Sequence, residues 1–227
     1  MQTVYFNKQF VPLSEAKVSI RTNALHYGSG VFEGIRAYWN ATQQQLFVFK
    51  LPEHYERMVS NCKVLKLKLD HDVKELCAIT VDLLRRNQPR EDTYIRPIAY
   101  ISSEGLGPKL LGYETGFAIY TIPLGDYIDT SVGIKVGFSS WRRISDNTIP
   151  ARGLTVTERQ VGRTELYVAD EVFLCGTGAQ VAPVIQVDRR PVGSGKMGPI
   201  TARIQQLYFE VVKGNHPKYR HWCTPVY

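Results

Sequence analysis

No apolar run in this chain approaches the about 20 residues a helix needs to cross a bilayer. The opening residues, Met1-Gln2-Thr3-Val4-Tyr5-Phe6, have neither the basic stretch nor the apolar core of a secretion signal. Four cysteines, Cys62, Cys77, Cys175 and Cys223, form no C-x-x-C pair and have no histidine at ligand spacing. That pattern excludes a zinc module or a dithiol centre. Cys62, Cys77 and Cys175 stand among apolar neighbours and read as small buried hydrophobes. The five histidines do not cluster, so neither a metal site nor a histidine-based triad is expected. Positive charge is in excess, 28 basic against 21 acidic residues, but it is scattered. Lys63-Lys66-Lys68, Arg85-Arg86, Arg142-Arg143 and Arg189-Arg190 are its densest clusters. With no basic arm and no recognition-helix stripe, nucleic acid is not an expected partner. A modest positive balance instead suits phosphorylated or carboxylate ligands. These absences together predict a soluble, cytoplasmic protein with reduced thiols and no membrane partner.

What is present is a core-forming chain of 227 residues, 44% hydrophobic and 11% aromatic, without internal repeats. Val4–Phe6 and Gln9–Val11 flank Asn7-Lys8 as a hairpin, and Lys17–Ile20 alternates like a strand. Gln45–Phe49 is a further strand. Pro52 opens a helix whose Tyr55, Met58, Val59, Cys62 and Leu65 fall on one face. A second helix runs from Asp72 to about Arg86, with Asp70 or Asp72 as its cap. Strands are predicted over Thr93–Ser102, Gly116–Pro123, Ser131–Ser139 and Glu171–Cys175. Thr164–Ala169 forms a short helix, Val184–Val192 a hairpin or bent strand, and a last helix follows Gly198-Pro199. Helices and strands do not alternate regularly, so the fold class is α+β. The boundaries are a small α+β domain over 1–124, a linker over 125–135 and a larger domain over 136–227.

Four constellations stand out. In His26-Tyr27-Gly28-Ser29-Gly30-Val31-Phe32-Glu33-Gly34-Ile35-Arg36-Ala37-Tyr38, three glycines allow backbone to approach a ligand. Tyr27, Phe32 and Tyr38 supply aromatic walls and Arg36 a fixed charge. Read alone, the run is equally a tight turn beside a core strand. Arg57, in Pro52-Glu53-His54-Tyr55-Glu56-Arg57, reads alone as a solvated helix charge. Tyr94 and Arg96 share a strand face and form either a carboxylate clamp or an exposed ion-pairing surface. Gly176-Thr177-Gly178, between Glu171–Cys175 and Val181–Val184, is either a plain turn or a nest of backbone N–H groups for an anion. Gly193-Ser194-Gly195-Lys196 imitates a phosphate loop but has Arg190 for the first glycine and Met197 for the magnesium-binding hydroxyl.

Taken whole, the run from His26 to Tyr38 resembles a signature of the branched-chain amino acid aminotransferases, the fold-type IV, class IV enzymes dependent on pyridoxal 5'-phosphate. The segment from Ala169 to Val184 resembles a second part of that family. The resemblance runs from about Val4 to about Tyr219. It implies a transaminase moving the amino group of L-leucine, L-isoleucine or L-valine to 2-oxoglutarate, as a homodimer or larger homo-oligomer whose pocket borrows a loop near Gly105-Leu106-Gly107. Residue by residue, it implies that Arg57, Gly176 and Thr177 hold the cofactor phosphate, and that Tyr27, Phe32 and Gly34 line the side-chain pocket with Arg36 beside them. Tyr94, Arg96, Thr177 and Gly178 would bind substrate carboxylates, and Tyr127 matches a further active-site tyrosine. An apolar wall discriminates chain size by only about 1–3 kcal/mol per methylene, so one pocket would accept all three substrates.

The resemblance also marks a gap. The Schiff-base lysine, the acidic partner of the cofactor ring and another phosphate loop should follow Ile149-Pro150-Ala151-Arg152. Here Arg152 runs directly into Gly153-Leu154-Thr155-Val156, which resembles a region nearer the family's C-terminus. No other lysine stands in a matching motif. Loss of that stretch removes strands of the larger domain and exposes its core, which favours a molecule carrying residues beyond these 227. An intact mass of 25.8 kDa would reject that. The rivals are a D-amino-acid transaminase, an aminodeoxychorismate lyase, or a non-catalytic binding protein of transaminase descent.

Overall fold

The computed structural model describes residues 2–105, 112–125, 133–137 and 159–227. The chain divides into two compact units, one formed by Met1–Gly125 with Phe209–Tyr227, the other by Asp126–Tyr208.

In the first unit, β1 (Thr3–Phe6) and β2 (Gln9–Pro12) form the expected hairpin. Lys17–Ile20 is not a strand. Its alternation finds no partner, because the chain turns through Thr22 into a short helix α1 (Asn23–Tyr27). Gly28, left-handed at φ 62°, terminates α1, a conformation that favours glycine. Then come β3 (Gly30–Phe32), β4 (Ile35–Asn40), β5 (Gln45–Phe49), helices α2 (Leu51–Val64) and α3 (Val73–Asn87), and strands β6 (Thr93–Ile101) and β7 (Thr115–Pro123). Pro52 sits in the first turn of α2. Asp72 caps α3 through a reciprocal pair: its carboxylate accepts the Glu75 N–H at 2.8 Å, and Glu75 accepts the Asp72 N–H at 2.9 Å.

The sheet runs C-terminal strand–β5–β4–β6–β7–β1–β2, with β3 also paired to β6. The C-terminal strand, Cys223–Pro225, pairs with β5. This pairing places residues 209–227 in the first unit, not in the second domain to which the sequence assigned them. One face of the sheet buries Ile35, Ala37, Ile95 and Ile119 against Tyr55, Met58, Leu76 and Leu83 of α2 and α3. Strand alternation therefore turns Arg36, Tyr94 and Arg96 to the opposite face.

The second unit contains β8 (Ile134–Val136), α4 (Arg163–Leu166), β9 (Val172–Gly176), β10 (Gln180–Val187), β11 (Arg190–Pro191) and the greater part of α5 (Pro199–Val212). β10 pairs with β8 in parallel and with β9 and β11 antiparallel. Its described core is small: buried Val184, Val187 and Val192 with Ile134, Val136, Tyr167 and Val172 around them. Val161, Val168 and Leu174 remain exposed, Val168 at 81%. Cys175 is exposed as well. Its expected burial fails because β9 is covered on too little of its surface. Cys62 and Cys223 are buried, and Cys77 is partly so.

Candidate functional site

The register of β4 against β6 sets Arg36 directly opposite Tyr94, with Arg96 two residues along the same face. Arg36 is 3% exposed. Its Nη2 donates to the Gly125 carbonyl at 2.9 Å, while its Nε and Nη1 are buried without an acceptor among the described residues. Arg96 donates from Nη2 to the Tyr94 hydroxyl at 2.7 Å, and its Nε is likewise buried without an acceptor among the described residues. The Arg96 guanidinium lies 4.2 Å from the Phe32 ring centroid and 5.1 Å from that of Tyr94. Neither arginine forms an ion pair among the described residues.

Two buried or half-buried cations with unmet donors are costly in the protein alone. An anion with two oxygens, such as a carboxylate, removes that cost. The Phe32 ring, 58% exposed, adds an apolar wall against which the guanidinium of Arg96 stacks. The structure thus brings together Phe32, Gly34, Arg36, Tyr94 and Arg96. Tyr27 stands half exposed at the end of α1, its ring 6.4 Å from that of His26. Tyr127, the loop after Gly105 and the Arg152–Gly153 junction lie outside the described residues.

A second cluster surrounds Glu33, in the bend between β3 and β4. Its side chain is 4% exposed. Arg57 donates from Nε to Glu33 Oε1 at 2.7 Å and from Nη2 to Oε2 at 2.6 Å. His54 Nδ1 lies 3.0 Å from Glu33 Oε2 and 3.2 Å from Arg57 Nη2. Burial pushes the Glu33 carboxyl upward, but the hydrogen bonds and charges of Arg57 and then His54 prevail and hold it below the usual carboxylate range. Sequence reasoning named Arg57 with its His-x-x-Arg spacing, which sets His54 and Arg57 on one helix face, but did not join Glu33 to them.

In the second unit, Gly176 ends β9 and Thr177 and Gly178 lie in the turn that joins it to β10, closed by the pairing of Gly176 with Gln180. A methyl group on Gly176 or Gly178 would meet no protein atom within 4 Å, so this backbone is open to a ligand. No lysine stands in any of the three clusters. Among the described residues no group of three His, Cys, Asp or Glu side chains is placed to hold a metal, and no helix is long and apolar enough to cross a membrane.

A fold of this kind corresponds to a known class. The profile of the amino-transferase class IV family matches residues 30–150. A probable branched-chain-amino-acid aminotransferase of Aquifex aeolicus (strain VF5) is 38% identical over 303 residues, spanning 100% of this chain and 97% of the relative. The structure superposes on that of a branched-chain aminotransferase from the archaeon Thermoproteus uzoniensis with norvaline, TM-score 0.90 and 30% identity, covering 100% and 99% of the two chains. It also superposes on a T.th. branched-chain amino acid aminotransferase complexed with N-(5'-phosphopyridoxyl)-L-glutamate, TM-score 0.89 and 28% identity, covering 99% and 98%.

The chain belongs to the class IV aminotransferases, pyridoxal-phosphate-dependent transaminases of the α+β fold-type IV architecture. The Aquifex match runs over 303 positions against 227 residues here, so that relative carries residues with no counterpart in this chain. The family profile itself ends at Pro150, two residues before the Arg152–Gly153 junction.

Proposed function

We propose that this protein is a transaminase acting on L-leucine, L-isoleucine or L-valine with 2-oxoglutarate as the acceptor, with pyridoxal 5'-phosphate as its cofactor. The carrying observation is Arg36: a buried guanidinium whose Nε and Nη1 meet no acceptor among the described residues, opposite Tyr94 across the strand pair. That arrangement suits a small carboxylate. Phe32 beside it suits an aliphatic side chain. Arg96, stacked on Phe32, suits the second carboxylate of glutamate when that substrate replaces an aliphatic one, so that no charge is left buried and unpaired. The Aquifex relative's name and the norvaline in the Thermoproteus structure support an aliphatic amino acid. The phosphopyridoxyl-glutamate in the T.th. structure supports both the cofactor and the acidic substrate.

The residues present fit the non-covalent part of that cofactor. Arg57 offers a guanidinium to the phosphate, and Thr177 with its flanking glycines offers open backbone and a hydroxyl. The bound cofactor supplies an electron sink for a carbanion at the amino-acid Cα. This chain's own residues bind and orient: Arg36 neutralises a carboxylate, Tyr94 offers it a hydroxyl, Phe32 excludes water from the side chain, and Arg96 reads side-chain charge. Nothing in the three clusters offers the lysine amine that moves the Cα proton, a role that the family resemblance assigns to a stretch expected after Arg152.

The test is amino transfer from L-leucine to 2-oxoglutarate in the presence of pyridoxal 5'-phosphate. Greater activity on D-alanine than on L-leucine would overturn the substrate assignment. The missing lysine is the observation that favours a second reading, a non-catalytic binder of the same ligands. Binding of the cofactor without any borohydride-trappable adduct would select it.

A further inference from the structure

We propose that Glu33 is a positioning residue: its buried carboxylate holds the Arg57 guanidinium and the His54 imidazole in one preset corner, and this fixed arrangement captures the cofactor phosphate. The proposal rests on the reading of Arg57 as a phosphate ligand given above.

The exposures are unequal in an instructive way. The Glu33 side chain is 4% exposed and that of His54 12%, whereas Arg57 is 61% exposed. The carboxylate is the buried anchor, and the guanidinium reaches in from the surface of α2. The anchor itself is fixed, since the Glu33 N–H donates to the Pro97 carbonyl at 3.1 Å and so ties the bend to β6. Contact through both Nε and Nη2 sets the plane of the guanidinium as well as its place. His54, three residues before Arg57 on the same helix, meets the same Oε2.

Coulomb's law alone disfavours a carboxylate beside a phosphate site. Preorganisation is what it offers in exchange. An exposed arginine samples many rotamers, and ordering it on binding lowers affinity; an arginine already held does not carry that cost. Connectivity adds a second benefit. Glu33 precedes Arg36 by three residues, so one short segment carries both the anchor of the phosphate corner and the cation facing the substrate carboxylate. The bend after β3 therefore couples the two anion sites covalently.

The opposing signs give a clean test. Inorganic phosphate and pyridoxal 5'-phosphate are titrated calorimetrically into the full 227-residue chain and into Glu33→Gln, Glu33→Asp and Arg57→Ala, with circular-dichroism melts alongside. Simple charge attraction makes Glu33→Gln bind phosphate more tightly. Positioning makes it bind about tenfold more weakly, the smaller end of what outer positioning partners typically contribute, and makes Glu33→Asp, which keeps the charge but shortens its reach, intermediate. Phosphate binding by Glu33→Gln as tight as wild type, or tighter, overturns the proposal. If Glu33→Gln does not fold, Glu33→Asp decides in the same way: weaker binding supports positioning, and equal or tighter binding overturns it. Unchanged affinity in Arg57→Ala removes the phosphate reading of Arg57 and the role of Glu33 with it. Weakened affinity in Arg57→Ala with none in the Glu33 variants removes only the role of Glu33.

Discussion

A β-carbon on Gly34 would stand 2.5 Å from the Tyr94 hydroxyl. The two residues compete for one volume, and glycine concedes it to the phenol. That phenol in turn accepts the Arg96 Nη2 hydrogen bond at 2.7 Å. Gly34→Ala is expected to displace Tyr94 and release Arg96. The overpacking cost should fall near the about 1–3 kcal/mol typical of an added methyl group, with about tenfold weaker binding of 4-methyl-2-oxopentanoate. Thermal melts and calorimetry check both. An unaltered affinity would show that Tyr94 does not touch the ligand.

Arg36 places stability and binding in opposition. Replacing a buried, incompletely satisfied ion by a hydrophobe of similar size is often neutral or stabilising by about 1–4 kcal/mol. Arg36→Met is therefore expected to melt at or above the wild-type temperature. Losing a cation that meets a carboxylate in a buried site costs binding about 2–5 kcal/mol, so 2-oxo acid affinity should fall by at least thirtyfold. A variant that is both less stable and unaltered in binding would make Arg36 a structural residue.

Arg96 is expected to discriminate between the two substrate classes. Stacked on Phe32 at 4.2 Å, it borders an apolar wall instead of lying inside it. Arg96→Ala should weaken 2-oxoglutarate binding far more than that of 4-methyl-2-oxopentanoate. Paired titrations measure the ratio. Equal losses would mean that Arg96 does not read the side-chain carboxylate.

Glu33 gives the fold an acid limit. Its carboxyl is held below the ordinary 4.5 by Arg57 and His54, against the upward pull of burial. A depressed carboxyl contributes stability that is complete above the unfolded-state value and is lost as pH falls through the folded-state value. The stability difference between wild type and Glu33→Gln should therefore shrink as pH falls below the ordinary carboxyl value of 4.5. Because Arg57 is 61% exposed, the difference should lie under the about 3–5 kcal/mol of a fully buried pair. Melts between pH 3 and 5 test this, and a difference that grows as pH falls below 4.5 would refute it.

Much of the first unit was legible because its signals are local. Pro52, the stripe from Tyr55 to Cys62 and the Asp72–Glu75 cap mark α2 and α3 within a residue or two. The β1–β2 hairpin follows from Asn7-Lys8, both of which take positive φ. Lys17–Ile20 misled because alternation needs a neighbouring strand and this segment has none. The C-terminal strand escaped notice because Cys223–Pro225 is short, contains a proline and gains its pairing only from distant β5. Glu33 escaped because an acidic residue in a bend carries no mark of burial until α2 brings Arg57 against it.

By itself the sequence determined the family, the fold class and the residue types on which anion recognition depends, because these are written in contiguous strings and local periodicity. Tertiary structure alone decided that Arg36 faces Tyr94, that Glu33 is buried beneath Arg57 and that the chain's end returns to the first sheet. Those are contacts between residues far apart along the chain, and they exist only where strand register and helix packing bring those residues together.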